Sequence, residues 1–134
     1  PLGGARATRH LVRLGRRRIA FLGNTEALEA LQRYQGYLQA LEESGTTPDR
    51  RLFVPCQFEM EAAEAAVDGL LGRGVAFDGI VAASDLIALG SVRALRRAGR
   101  RVPEDVSVVG YDDIPIARLA NPELTTVRQD TALA

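Results

Sequence analysis

Two adjacent carboxylates, Asp112 and Asp113, follow the apolar run "VSVVGY" and precede Pro115, in a chain with one His, one Cys and no Lys. Carboxylates at the end of a buried strand are acceptors that can take paired hydrogen bonds from ligand hydroxyls. Other apolar runs end in a similar way, in "ASDLI" with Ser84 and Asp85 and in "PCQFE" with Phe58. Oxygen acceptors beside an aromatic ring suit a polyhydroxy ligand, because the ring face covers its C–H side. Each residue also has a plainer role. Asp85 stands just before a helix and reads mainly as its N-cap, a role Ser84 can share. Asp112 and Asp113 can form an Asx-type turn into Pro115, and Phe58 can be core.

Catalysis finds no support. His10 precedes the first strand with no nucleophile motif beside it, and without a second His or Cys nearby no metal site of the usual spacing can be drawn. Cys56 has no partner for an internal disulfide and reads as a small packing residue, which fits a reducing compartment. A dinucleotide fingerprint needs three glycines entering the first helix, and only Gly23 is present. A phosphoryl-accepting receiver domain would place acids after the first strand and use a late lysine, whereas this strand ends in "LGN". Seventeen basic residues balance seventeen acidic ones, so overall charge favours neither nucleic acid nor an anionic membrane.

The elements that must position these residues alternate regularly. "RIAFLG", "RLFVP", "DGIVAA", "VSVVGY" and "LTTVR" read as five strands. Between them, Leu31, Tyr34, Leu38 and Leu41 form one helical stripe, and Met60, Ala63, Val67, Leu70 and Leu71 form another. A third helix over about 86–98 ends at Gly99 before Pro103. The strands are short and apolar on both faces, which predicts an α/β fold: a doubly wound, parallel five-stranded sheet with helices on both faces. At 134 residues and 46% hydrophobic content, one domain is expected. The chain opens without Met and reads as a fragment; its first segment, 1–15, is an amphipathic helix expected to pack with a missing neighbouring lobe. In such sheets ligands bind beyond the carboxyl ends of the strands, where the strand order reverses.

The stretch from "FDGIVAASDLIALG" through "GRRVPEDVSVVGYDD" to "PELTTVRQ" closely resembles the effector-binding core of LacI/GalR-family transcriptional regulators. "ATRHLVRLGRRRIAFLGN" and "LQRYQGYLQAL" extend the resemblance over nearly the whole chain, with Arg16 standing where that family usually has His. The resemblance implies a periplasmic-binding-protein-like type I lobe. Residues 16–129 would be the C-terminal lobe of a two-lobed sensor and 130–134 a truncated return segment. It also implies a cytoplasmic, non-enzymatic regulator, a repressor, whose sugar, nucleoside or purine effector binds between lobes and needs no cofactor or metal. Operator DNA would be read by a helix-turn-helix absent from this chain. A secreted solute-binding protein of a sugar transporter shares the fold and is the alternative.

Carried over by position, Arg33 and Gly36 match the family's "R-x-x-G", whose arginine reaches the ligand, and Asp112 matches the carboxylate after "GY". Ser84 stands where many relatives have Asn, and Phe58 where an aromatic ring is often presented. Gln129 lies where the chain returns toward the missing lobe. On a helical wheel Leu86 and Leu89 fall opposite the buried face of Ala88, Ser91, Val92 and Leu95. Family dimers use this helix and the segment after "GYDD", so Leu89 and Ala120 are the expected homodimer contacts.

Overall fold

A computed structural model describes residues 2–112 and 125–128, with side chains over 5–110. Four helices, α1 (Leu2–Arg13), α2 (Leu28–Glu43), α3 (Met60–Gly72) and α4 (Asp85–Arg97), alternate with strands β1 (Ile19–Leu22), β2 (Phe53–Val54), β3 (Gly79–Ala82), β4 (Ser107–Asp112) and β5 (Thr125–Arg128). The strands form one parallel sheet in the order β2-β1-β3-β4-β5. All five expected strands are present, with the doubly wound topology.

Every residue of β1 and β3 is buried, as a sheet covered on both faces requires. From β1 the chain steps one way to β2, and from β3 it steps the other way to β4. Right-handed crossovers then put α2 on one face of the sheet and α3 and α4 on the other. Accordingly α1 packs on α2, and α3 on α4. Phe21 of β1 anchors an aromatic cluster under α2, with ring centroids 5.2 Å from Tyr34 and 5.5 Å from Tyr37.

The leading helix has a packing partner within this lobe. Ala5, Ala7, Thr8 and Leu11 of α1 are buried within this lobe, so α1 is part of its core, covering the same face as α2. All four helices close with a glycine at positive φ, Gly15, Gly45, Gly74 and Gly99. At Gly99 the expected C-cap is completed by Arg100 N–H donating to Leu95 O and Gly99 N–H to Arg96 O, the paired bonds of a Schellman motif.

The stripe of α2 is rotated by one residue from its expected position. The buried positions are Ala30, Arg33, Gly36, Tyr37, Ala40 and Leu41, while Leu31, Tyr34 and Leu38 are half-buried. Two long side chains with polar tips can occupy that face because each reaches a carbonyl: Tyr37 donates to Ile19 O at 2.6 Å, and Arg33 donates to Ala83 O. Burial raises the Tyr37 phenol well above its ordinary pKa. In α4 the expected face of Ala88, Ser91, Val92 and Leu95 is buried throughout. Leu86 is exposed, but Leu89 is half-buried and packs against the core, so the two leucines do not form one free surface pair.

The amino edge of the sheet is fastened by side chains. Asp78 accepts from the Arg17 and Arg18 backbone N–H groups at 2.8–3.1 Å. Arg16 donates from Nε to Ser107 Oγ at 3.0 Å, and its NH2 reaches Pro103 O at 2.5 Å and Glu104 O at 3.1 Å. The departure from the family's His therefore has a structural role, bracing the entry to β4.

Candidate functional site

Strand order reverses between β1 and β3, and the turns leaving their carboxyl ends, 23–27 and 83–84, diverge there. A crevice at that point is where a doubly wound sheet accepts a ligand. Arg33 lies across it. Its backbone belongs to the second turn of α2, its side chain is buried, and its guanidinium bonds the Ala83 carbonyl at the end of β3. The Glu29 carboxylate, one turn earlier, stands 3.9 Å from the same guanidinium.

Ser84 follows directly. It is the N-cap of α4, its Oγ accepting from Ile87 N–H at 3.3 Å. Asp85, assigned the cap from sequence, is instead the first residue of the helix and is buried. The correction is one position: Ser84 has the extended backbone of a cap, and Asp85 has turned into the helix. Sequence reading also missed the seat for this helix end, Gly110 of β4. A Cβ built there would stand 2.9 Å from Ala88 Cβ and 2.9 Å from Asp85 Oδ1. Only a glycine allows α4 to start so close above the strand, and this brings Ser84 to the crevice.

Phe58, in the turn between β2 and α3, is 39% exposed. Its ring is not a core residue and is available as a platform. The turn is held to its neighbour by Cys56 N–H donating to Gly23 O at 3.2 Å and by Asn24 Nδ2 donating to Gln57 Oε1 at 3.4 Å. Gly23 is a close-packed position missed in this respect: a Cβ there would fall 2.6 Å from Ala83 Cβ. The backbone of Asp112 ends β4, paired with Arg128 of β5, on the same carboxyl edge. Asp113, Ala120 and Gln129 lie outside the described residues.

The remaining reactive side chains are poor candidates for chemistry. Burial pushes the Cys56 thiol up to about 11, which leaves it protonated and unreactive near neutrality. Among the described residues, no cluster of three His, Cys, Asp or Glu side chains is arranged to hold a metal ion. No helix among them is long and apolar enough to cross a membrane.

A parallel sheet of order β2-β1-β3-β4-β5, with an arginine bonded to the turn after β3 at the switch point, has the architecture of a ligand-binding α/β lobe. Residues 8–134 match the model of the periplasmic binding protein-like domain, and the chain belongs to that family, in the form carried by LacI-family transcriptional regulators. It is 44% identical over 132 residues to the HTH-type transcriptional regulator CelR of Thermobifida fusca and 36% identical over 132 residues to the ribose operon repressor of Haemophilus influenzae. Those matches cover 98% of this chain but only 39% and 40% of the two relatives. Among solved structures, the transcriptional regulator CelR–cellobiose complex superposes with a TM-score of 0.90 at 43% identity, covering 98% of this chain and 40% of that one. The Lac repressor bound to ONPG in the repressed state gives 0.88 at 32% identity, with the same two coverages.

Proposed function

We propose that this chain is the effector-sensing lobe of a cytoplasmic, DNA-binding transcriptional repressor, and that its ligand is a small polyhydroxy molecule, a sugar or a nucleoside or purine. The observation that carries the reading is Arg33, a buried arginine whose guanidinium lies at the switch point beside Ser84. Phe58 supplies the ring, and Asp112 and Gln129 are further ligand contacts by their match to the family's positions in the sequence. Nothing in this set performs catalysis: the role is binding, and the protein is not an enzyme. The similarity to regulators at 44% and 36% identity supports this reading over a transporter's solute-binding protein. Operator contact belongs to a helix-turn-helix outside this chain. The protein acts as a homodimer, with Leu89 and Ala120 at the subunit contact.

Ligand binding and DNA affinity would be coupled by linkage, since an effector changes operator affinity only if it binds two arrangements of the sensor unequally. The test is calorimetric titration of the full-length protein with saccharides, nucleosides and purines, starting with cellobiose. Arg33→Ala and Asp112→Ala are each expected to weaken a hit by about 1.5–3 kcal/mol, the range for a hydrogen bond to a charged group. Unchanged affinity in folded Arg33→Ala would remove the switch point from the site.

A further inference from the structure

We infer that the amino edge of the lobe docks a protein partner: an acidic segment that inserts one aromatic side chain between the closing ends of α1 and α2. Both helices end at that edge, and each closes on a glycine at positive φ, Gly15 and Gly45. A Cβ built on either glycine meets nothing within 4 Å, so the helix ends leave a gap that their own closing turns do not fill. The gap is a cavity of about 150 Å³. Its floor belongs to the core: Ile19 and Leu41 are buried and Val12 is half-buried, while Arg17 and Ser44 at its rim are exposed. An apolar cavity of about this volume takes up benzene. Leu14, next to Gly15 in the chain, is 55% exposed and extends the apolar surface beyond the rim.

The charge around the cavity selects the partner. Segments 13–18 and 44–52 meet at this edge, tied by Arg18 to Asp49 at 3.3 Å, and hold six arginines against one acid. Asp49 is taken by Arg51 and Arg18, and Arg16 by Ser107 and the Pro103 and Glu104 carbonyls. Arg13, Arg17 and Arg50 remain exposed and, among the described residues, pair with no carboxylate. At the end of α2, Glu43 is held by Arg9 at 2.9 Å, which leaves Glu42 as the one acid of that end with no partner among the described residues. An apolar anchor inside a polar rim is the anatomy of a protein interface, and three unpaired guanidinium groups call for carboxylates around the anchor. A nucleic acid would use the arginines for its phosphates and leave the apolar floor unfilled. This cavity is at the edge opposite the proposed effector site, so partner and effector do not compete for space.

A plainer role for Arg13 is to face the carbonyl end of α1, and such a role would show in stability alone. The probes are three synthetic peptides, Asp-Glu-Phe-Glu-Asp, Asp-Glu-Ala-Glu-Asp and Asn-Gln-Phe-Gln-Asn, titrated into full-length protein at low salt with calorimetric detection. The first should bind. Loss of its ring should weaken binding by roughly tenfold or more, and loss of its charges by roughly three- to tenfold. Arg17→Gln should weaken the first peptide by roughly threefold, and Ser44→Phe, which sets a ring over the cavity, should abolish its binding, with both variants folded by circular dichroism. Equal binding of the acidic and neutral peptides, or affinity unmoved in both folded variants, overturns the inference. So does a full-length protein that binds none of the peptides, its cavity filled by the rest of its chain or by a second copy. Displacement of the first peptide by duplex DNA of random sequence would assign the arginines to nucleic acid and overturn the inference too. Each of these outcomes leaves the reading of the carboxyl edge unchanged.

Discussion

Replacing Gly90 by Ala tests the packing that carries the site, because two effects of opposite sign meet there. Gly90 is in the middle of α4 where it crosses α3. A Cβ built on it would press on the Met60 carbonyl oxygen, lie 3.0 Å from the Met60 carbonyl carbon and 2.8 Å from Ala63 Cβ. On helix propensity alone, the substitution would stabilise by ~1 kcal/mol. Overpacking costs about 1–3 kcal/mol, and the upper end applies because backbone atoms and a Cβ cannot rotate away. A net loss of ~2 kcal/mol follows, with the helices pushed apart at Met60, two residues beyond Phe58. Urea denaturation should show a lower midpoint at constant slope, and Tm should fall by roughly 4–10 °C for a domain of this size. Effector affinity should fall too, since the turn carrying Phe58 moves with the start of α3. A midpoint equal to or above wild type would refute the claim that α3 and α4 touch through backbone at this glycine.

Two further outcomes are expected. Tyr37→Phe keeps the buried ring and loses only the 2.6 Å bond to Ile19 O, so denaturation should show a loss of ~1 kcal/mol; wild-type stability would mean the bond is worth nothing. Asp105 accepts from Arg101 N–H at 2.7 Å and from its guanidinium, and these bonds hold its carboxyl down at about 2. Its folded pKa lies below the unfolded value of about 4, so its contribution is complete above pH ~4 and is lost as pH falls toward 2. Asp105→Asn should flatten the acid limb of a stability–pH curve in that window, and an unchanged limb would exclude Asp105 as its source.

The sheet was readable in the residues because β1 and β3 are buried on both faces, which leaves an uninterrupted apolar run as the only workable pattern. Helix ends were readable where glycine supplies the positive φ of the closing turn, as at Gly99. What sequence periodicity misses is any burial decided by a distant carbonyl. Arg33 and Tyr37 find acceptors in the carbonyls of Ala83, just past β3, and Ile19 of β1, and a wheel that counts apolar residues places the stripe one position late. Arg33 entered the site through family resemblance and not through its spacing. The choice of Ser84 over Asp85 as the cap, and the cover that α2 gives α1, were not readable for related reasons: a cap is set by where the backbone turns, and an amphipathic face does not name what covers it. Gly23 and Gly110 gave no signal at all, since a seat for a neighbouring helix or turn exists only once the sheet is formed.

The two edges of the sheet divide stability from effector recognition. At the amino edge, Asp78 and Arg16 spend their hydrogen-bonding groups on backbone and on Ser107, closing the entries to β1, β3 and β4. At the carboxyl edge the turns are tied by the lighter bonds of Cys56 N–H and Asn24, and Phe58 and Glu29 are left exposed. Arg33 joins the two roles: its buried guanidinium donates to Ala83 O and lies 3.9 Å from the exposed Glu29 carboxylate. Arg33→Lys should therefore separate them: a compact ammonium keeps the charge beside Glu29 but not the planar fork. If Arg33 is held in place for recognition, Lys should fold with little loss and bind the effector far more weakly. Loss of stability with retained affinity would instead make Arg33 a structural tie between α2 and β3.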